Sequence, residues 1–465
     1  MSEPTRNQPC PCGSGLRFKE CHGKMGEANA PQAHAAGDRH TELMASALAH
    51  RQQRRYDQAI RDYEAALERD PGRHDARYML ADLCRERGDR GPAKAHILEA
   101  LDLTGWKSAS YRRFLSALLA DEAPAGPGAV SGPGDGYLAE QAARAKTVSL
   151  DAPLVSVVIP CRNHVAYVEA ALRSIFRQTY RQVEVVVIDD GSDDGSAEAI
   201  RRCLDESPFA HRFVERARHR GAPETVNEAA GMATGTFICV LNSDDFMHED
   251  RLRRMVATIA GTGAQWGFSS TECVDAAGNY IDPLHNRYVY DLRCAVGDAG
   301  AAPTIGFALM AQNIAASSGN LFVSRELFRA LGGFHEYSHV RGWDFCLRAL
   351  QRAEPVFVRD AVYCKRLHRG NQPSAILAAL HAEAAEVCRR YVHWGCTADE
   401  SVSPVAPCVA NWPIEFRKAI LETGLADLVD APTLRLMALR GADGRPINAQ
   451  LASSSPRGDF GSAAH

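Results

Sequence analysis

The chain has 465 residues, 45% of them hydrophobic and 24% charged, and its 53 basic and 57 acidic side chains give a net charge of −4. That length calls for more than one folded unit, and the near balance of charge speaks against a nucleic-acid or anionic-membrane partner for the chain as a whole. No apolar run reaches the ~18 residues of a membrane span, and Met1-Ser2-Glu3-Pro4 opens without the basic and apolar regions of a secretory leader, so a cytoplasmic location is expected.

Residues 1–25 are polar and contain Cys10-Pro11-Cys12-Gly13-Ser14-Gly15 followed by Cys21-His22-Gly23. Three thiols and an imidazole complete a tetrahedral Zn²⁺ shell, and so small a segment has almost no core without a metal. All four positions of that shell come from the protein, so the ion is structural. The segment resembles the zinc motif at the C-terminus of the SecA translocation ATPase, which implies Cys10, Cys12, Cys21 and His22 as ligands. Arg17, Lys19 and Lys24 make the knuckle basic, which fits an acidic partner or a plain solvated face.

Residues 38–120 are helix-periodic. Ala47, Ala59 and Ala66 recur 34 residues later as Ala81, Ala93 and Ala100, and Tyr63 falls in phase with Ile97. A 34-residue period with small residues where paired helices touch resembles the tetratricopeptide repeat. Tyr111 to Leu119 reads as a capping helix, and the expected role is to bind a protein partner or present an acceptor. Eight of the fourteen residues from Ala123 to Gly136 are Gly or Pro, which marks 121–152 as a linker.

From 153 to 395 β-branched runs alternate with amphipathic stretches, the pattern of an α/β domain. Val155 to Ile159 and Val183 to Ile188 read as buried strands. Between them Val165, Val168, Leu172, Ile175 and Phe176 fall on one helical face, so a right-handed βαβ unit with parallel strands is expected. Ligands of such sheets bind beyond the carboxyl ends of the strands. There the sequence places Asp189-Asp190-Gly191-Ser192, and after the strand Phe237 to Leu241 it places Asn242-Ser243-Asp244-Asp245. An acidic loop without Gly-x-Gly-x-x-Gly or lysine is not a phosphate cradle. Paired carboxylates at a strand end suit Mg²⁺ or Mn²⁺, which also relieves their repulsion. Residues 396–465 read as a helical extension, with two short helices between Trp412 and Leu439, and a disordered tail.

These motifs, with Gly332-Gly333-Phe334 further on, resemble the family 2 glycosyltransferases of the GT-A fold, in order and spacing. The fold class expected is therefore α/β, a GT-A Rossmann-like domain preceded by an all-α tetratricopeptide-like region and a small zinc knuckle. The resemblance implies a metal-dependent, inverting transfer of sugar from a nucleotide diphosphate sugar to a hydroxyl on a protein, lipid-linked glycan or polysaccharide. It implies that Asp190 binds the nucleotide base beside Pro160 and Cys161, that Asp244 contacts ribose or metal, and that Asp245 ligates the Mn²⁺ or Mg²⁺. His368 matches a late histidine that reaches metal or diphosphate, Arg369 is a candidate to neutralise phosphate, and Asn320 stands where members approach sugar or acceptor. Inverting members carry an acid before Trp-Asp or Tyr-Asp as general base. Here the segment reads Arg341-Gly342-Trp343-Asp344, and glycine has no proton acceptor. Asp344 is the expected catalytic substitute, with His335, Glu336 and His339 also near in sequence. The alternative is a sugar-nucleotide-binding adaptor that uses its knuckle and repeats for protein interaction.

Overall fold

The computed structural model describes residues 39–120, 152–368, 377–399, 403–441 and 444. The zinc-knuckle ligands Cys10, Cys12, Cys21 and His22, the linker through 151 and Arg369 lie outside the described residues. Packing divides the chain into two units, one ending at His96 and one starting at Ile97.

The first unit is helical: α1 Arg39–Gln52, α2 Tyr56–Arg69, α3 His74–Arg87 and the start of α4 Arg90–Leu103. The alanines of the 34-residue repeat are all inaccessible, including Ala47, Ala59, Ala81 and Ala93 in this unit. A methyl group at each position lets the helix backbones approach, while Tyr63, Leu67, Leu80 and Leu83 fill the core between them. Polar ties fix the pairing. Asp62 of α2 accepts from Ser46 Oγ at 2.7 Å, and Arg51 Nη2 of α1 donates to Asp82 of α3 at 2.6 Å.

The second unit opens with the end of α4 and with α5 Ala109–Ala120, the helix read as a cap. Here it is a docking helix: the buried Arg112 donates to Trp106 O at 3.0 Å and to Asp427 at 2.6 Å, and Ser116 donates to Glu422 at 2.8 Å. Eight strands follow: β1 Val155–Cys161, β2 Val183–Asp189, β3 Ala210–Glu215, β4 Phe237–Val240, β5 Phe246–Met247, β6 Trp266–Val274, β7 Phe322–Ser324 and β8 Val356–Arg366. They form one mixed sheet in the order β3-β2-β1-β4-β7-β6-β8-β5. The β3-β2-β1-β4 half is parallel, as the βαβ pattern requires, and β7 enters antiparallel to both β4 and β6. All seven residues of β2 are buried, which is why the strand is a run of valines and not an alternation. Helices α6 Val168–Phe176, α7 Ser196–Leu204, α8 Ala222–Met232 and α9 Arg251–Thr262 connect these strands, and α6, α7 and α9 share the main core with them through Leu172, Ile200 and Met255.

The remaining helices are α10 Arg287–Asp298, α11 Ile305–Ala311, α12 Arg325–Ala330, α13 Arg341–Leu350, α14 Leu377–Thr397, α15 Pro413–Glu422 and α16 Ala431–Ala438. None of the described helices is long and apolar enough to cross a membrane.

Glu354 ties α11 to the turn after α13. One carboxylate oxygen accepts the Gly306 N–H at 2.8 Å, and the other has no hydrogen-bond partner among the described residues. Burial pushes this carboxyl up to about 7, only partly offset by the Gly306 hydrogen bond. A raised carboxyl favours the folded state while protonated and ceases to as the pH climbs through its folded value. Wild-type stability is expected to fall by about 3 kcal/mol from this group between pH 4.5 and above pH 7. In Glu354→Gln that part of the pH dependence disappears, as urea unfolding at stepped pH would measure.

Candidate active site

The parallel register brings the carboxyl ends of three strands to one edge of the sheet. Cys161 of β1 lies beside Asp189 of β2, and Val158 lies beside Val240 of β4. The segments leaving these strands are zipped together by short polar side chains. The amides of Asn163, His164 and Val165 donate to Ser192, Ser196 and Asp194, each at 2.9 Å. Those bonds hold the segment as a loop, so α6 begins at Val168 and Val165, expected on its apolar face, is 43% exposed. The loop carries His164 back to the tip of β4, where its Nδ1 is 2.8 Å from Ser243 Oγ.

There the ligand atoms of His164, Asp244 and His368 lie within 4.8 Å of one another. His368 Nε2 is 3.0 Å from Asp244 Oδ2, and the Tyr167 ring packs on His368 at 4.9 Å between centroids. Burial raises the Asp244 carboxyl, but the His368 hydrogen bond and the nearby imidazoles outweigh it and hold the group below the usual carboxylate range. Burial lowers the His164 imidazole against the pull of Asp244, which favours the neutral ring that ligates metals. An ionised carboxylate and a neutral imidazole beside a second imidazole form a donor set able to hold a divalent cation and leave positions open.

Asp245 does not join that group. Its carboxylate turns inward, accepting from the Tyr363 hydroxyl, from Arg366 N–H at 2.8 Å and from Asn242 Nδ2 at 3.1 Å. Burial and then the charge of Asp244 push it up to about 7. Arg366 is buried behind the pair, donating to Asp244 O at 2.9 Å and lying over the Tyr167 and Phe246 rings.

Asp190, at the tip of β2, is 2% exposed. Oδ1 accepts from Arg216 Nη1 at 2.9 Å and Arg220 N at 3.0 Å; Oδ2 accepts from His219 Nδ1 at 2.7 Å and Gly221 N at 3.0 Å. A carboxylate offers about four acceptor positions, so the 216–221 loop occupies all of them. Burial works upward on this group, but Arg216 and the two backbone donors hold it below its usual range. Pro160 and Cys161 close β1 next to this turn, with the Cys161 thiol buried and pushed up to about 12.

Asn320 is completely buried. Its amide donates to Ser269 O at 2.6 Å and accepts from Ser269 Oγ at 2.9 Å and Arg251 Nη2 at 3.1 Å. It anchors the Ser317–Asn320 turn beneath α13. A Cβ on Gly319 would lie 2.1 Å from the Tyr363 hydroxyl and 2.9 Å from Asn242 N, so only glycine lets this turn approach the site. Asp344 faces the other way. It accepts from Arg348 Nε and Nη2, each at 2.8 Å, and lies 3.1 Å from His335 Nδ1. Arg348 also donates to Leu331 O and Gly333 O at 2.8 Å each, so this pair clamps the Gly332-Gly333-Phe334 turn.

His164, Tyr363, Arg216 and His219 belong to these networks and were not singled out by pattern. The available signal for His164 was its place directly after β1, at the same sheet edge as the acidic turns. Tyr363 carries no local signature. At Gly342 a Cβ would lie 2.9 Å from Ser318 Cα and 3.0 Å from Ser318 N, both backbone atoms. Gly342→Asp is expected to cost about 1–3 kcal/mol through overpacking, as urea unfolding would measure.

Residues 156–294 match the model of glycosyl transferase family 2, residues 6–24 the SEC-C motif, and residues 50–118 the tetratricopeptide repeat. Glycosyltransferase AglE of Haloferax volcanii is 32% identical over 185 residues, covering 39% of this chain and 56% of that protein. The succinoglycan biosynthesis protein ExoO of Rhizobium meliloti is 33% identical over 129 residues, covering 28% and 36%. An uncharacterized glycosyltransferase of Haemophilus influenzae is 31% identical over 107 residues, covering 23% of this chain and 42% of the relative. The chain thus spans about half, or less, of the length of these relatives. Among solved structures, the mannosyltransferase PcManGT from Pyrobaculum calidifontis, in complex with GDP-Man and Mn²⁺, is 21% identical over 74% of this chain and 88% of its own, with a TM-score of 0.42. The chain thus carries segments similar to family 2 glycosyl transferases, to the SEC-C motif and to tetratricopeptide repeats, in the order its motifs led one to expect.

Proposed function

We propose that residues 153–395 form a glycosyltransferase that moves a sugar from a nucleotide diphosphate sugar to an acceptor, with Mn²⁺ or Mg²⁺ and with inversion at the anomeric carbon. The supporting observation is the meeting of His164, Asp244 and His368 at the tips of parallel strands, beside the Asp190 turn. A divalent ion in that position supplies positive charge to the diphosphate and stabilises it as a leaving group. Asp244, His368 and His164 would hold the ion. Two nitrogen donors and one oxygen suit Mn²⁺ better than Mg²⁺. Asp245 would act from behind, fixing the turn that aims Asp244, and a cation near the pair would favour its ionised form.

Asp190 would receive the nucleotide base by exchange. Of its four donors, His219 is on a side chain 43% exposed, so the imidazole would swing out as the base amide takes Oδ2. Pro160 and Cys161 would line that pocket. Arg369, next to His368 in sequence, would balance phosphate charge, and Asn320 would hold the turn under the acceptor side. Cys10, Cys12, Cys21 and His22 would bind a structural Zn²⁺, and the helical repeats would engage a protein partner or present the acceptor. A cytoplasmic location fits this reading.

A second reading, an adaptor that binds sugar nucleotide without turnover, is favoured by Gly342 and by the pairing of Asp344 with Arg348. Calorimetry with Mn²⁺ and a panel of nucleotide sugars, followed by assay of nucleoside diphosphate release, separates the two. Transfer predicts Mn²⁺-dependent release by the wild type. Asp244→Asn and His164→Ala would weaken Mn²⁺ binding at least ~10-fold, since even outer-shell partners of metal ligands contribute that much. Binding without release supports the adaptor, and no binding of any sugar nucleotide would sink both readings.

A further inference from the structure

The segment between β6 and α11 carries hydrophobic side chains that the fold does not cover. Eight large hydrophobic side chains stand exposed among the described residues, and three of them, Tyr280 at 53%, Leu284 at 80% and Tyr290 at 45%, fall in this one short stretch. The backbone holds them there. Tyr280 bridges to Val274 at the end of β6, and its hydroxyl accepts from Arg293 Nη1 at 3.0 Å. Leu284 is the middle residue of the turn Pro283–His285, and its N–H donates to the Asp282 carboxylate at 2.9 Å. Asn286 then caps α10 by accepting the Val289 N–H at 3.2 Å. On the inner face of α10, Val289 and Leu292 share a core with Cys273 and Leu367. Leu367 precedes His368, so the helix that displays Tyr290 is packed against the chain that leads to the metal cluster.

Area and charge decide what this ridge fits. Each tyrosine offers about 150–250 Å² and is only half exposed. With one leucine added, the ridge falls far short of the ~800 Å² per partner of a stable protein interface. That speaks against a second copy or a folded partner held by this surface alone. A sugar stacks on a tyrosine face but has no use for a leucine projecting into water. A phospholipid surface uses all three: tyrosine favours the interface, where its ring is apolar and its hydroxyl wet, and leucine the hydrocarbon below. The charges agree. Asp282 is occupied by the turn, and Asp291 accepts from Arg287 Nε at 2.8 Å. Arg293 is exposed, and its hydrogen-bond partner among the described residues is a neutral phenol. The unbalanced charge beside the ridge is therefore positive, which suits lipid phosphates.

We propose that Tyr280, Leu284 and Tyr290 form a docking ridge for an anionic phospholipid surface, with Leu284 entering the acyl region and Arg293 meeting headgroup phosphates. One inserted leucine and one free cation make the contact weak and reversible. The net charge of −4 on the whole chain adds no long-range attraction, so docking rests on this local patch. Docking would hold the β6–α11 side of the domain, and with it the chain leading to His368, at the membrane. It stands apart from the sugar transfer proposed above and does not require it.

The test is sedimentation of the full chain with vesicles of equal parts phosphatidylcholine and phosphatidylglycerol. The wild type is expected to pellet with these vesicles, and less with phosphatidylcholine alone. Leu284→Glu should weaken binding at least ~10-fold, the loss that one uninserted leucine implies. Arg293→Gln should lower binding to the mixed vesicles only and make it less sensitive to salt. Leu284→Trp should keep binding and add an emission that shifts to the blue with vesicles. Thermal melts check that each variant folds. Wild type left in the supernatant with both vesicle types overturns the proposal. So does unchanged binding by folded Leu284→Glu, since the lipid contact then lies elsewhere, and so does a Leu284→Trp emission that vesicles leave unmoved. A wild-type dimer that Leu284→Glu turns into a monomer in sedimentation velocity, or a soluble polysaccharide that the wild type binds and Leu284→Glu does not, overturns it by giving the ridge a different occupant.

Discussion

A carboxylate cut off from water organises this site. Asp245 is buried between the tip of β4 and the end of β8, with the Tyr363 hydroxyl, the Arg366 amide and the Asn242 side chain as its donors. An unpaired carboxylate at that depth would be strongly unfavourable, so the position persists only because all three donors converge. β5 pairs directly with β8, Met247 against Tyr363, which keeps the phenol in place. Asp245 turns to these donors, whereas the side chain of its neighbour Asp244 meets the two imidazoles. The adjacent acids therefore differ: one fixes the turn and the other joins the imidazole cluster.

The other acidic turn is arranged in the opposite sense. Asp190 is complete without a ligand, since its four acceptor positions are filled by one short loop. Arg216 extends that network to Thr225 at 3.0 Å and to Glu228 of α8. Any group reaching Asp190 must replace a donor, and the exchange is cheapest at an exposed side chain. The two turns thus differ: Asp244 meets two imidazoles, whereas Asp190 is closed by its own chain.

At the start of α13 the side chains serve the fold. The Asp344–Arg348 pair, four residues apart on α13, reaches back to the carbonyls of Leu331 and Gly333 and so uses a favourable helix spacing to secure a turn. Close approach of the Ser317–Asn320 turn then takes the space a base at 342 would need.

Much of this was legible in the sequence because it depends on local periodicity. The valine runs of β1 and β2, buried on both faces, read as parallel strands, and the 34-residue spacing of alanines read as paired helices. Asp190, Asp244 and Asp245 could be singled out because acidic turns after strands are themselves local patterns, and His368 only through the family resemblance. Which of two adjacent carboxylates faces the cleft was not legible, since that depends on donors more than 100 residues away, Tyr363 and Arg366. Nor was the burial of Asn320 or the obstruction behind Gly342, each produced by backbone from a distant turn. Sequence fixes residue types and spacing along the chain; the direction of a buried polar group is decided by partners that only the closed sheet brings within hydrogen-bonding distance.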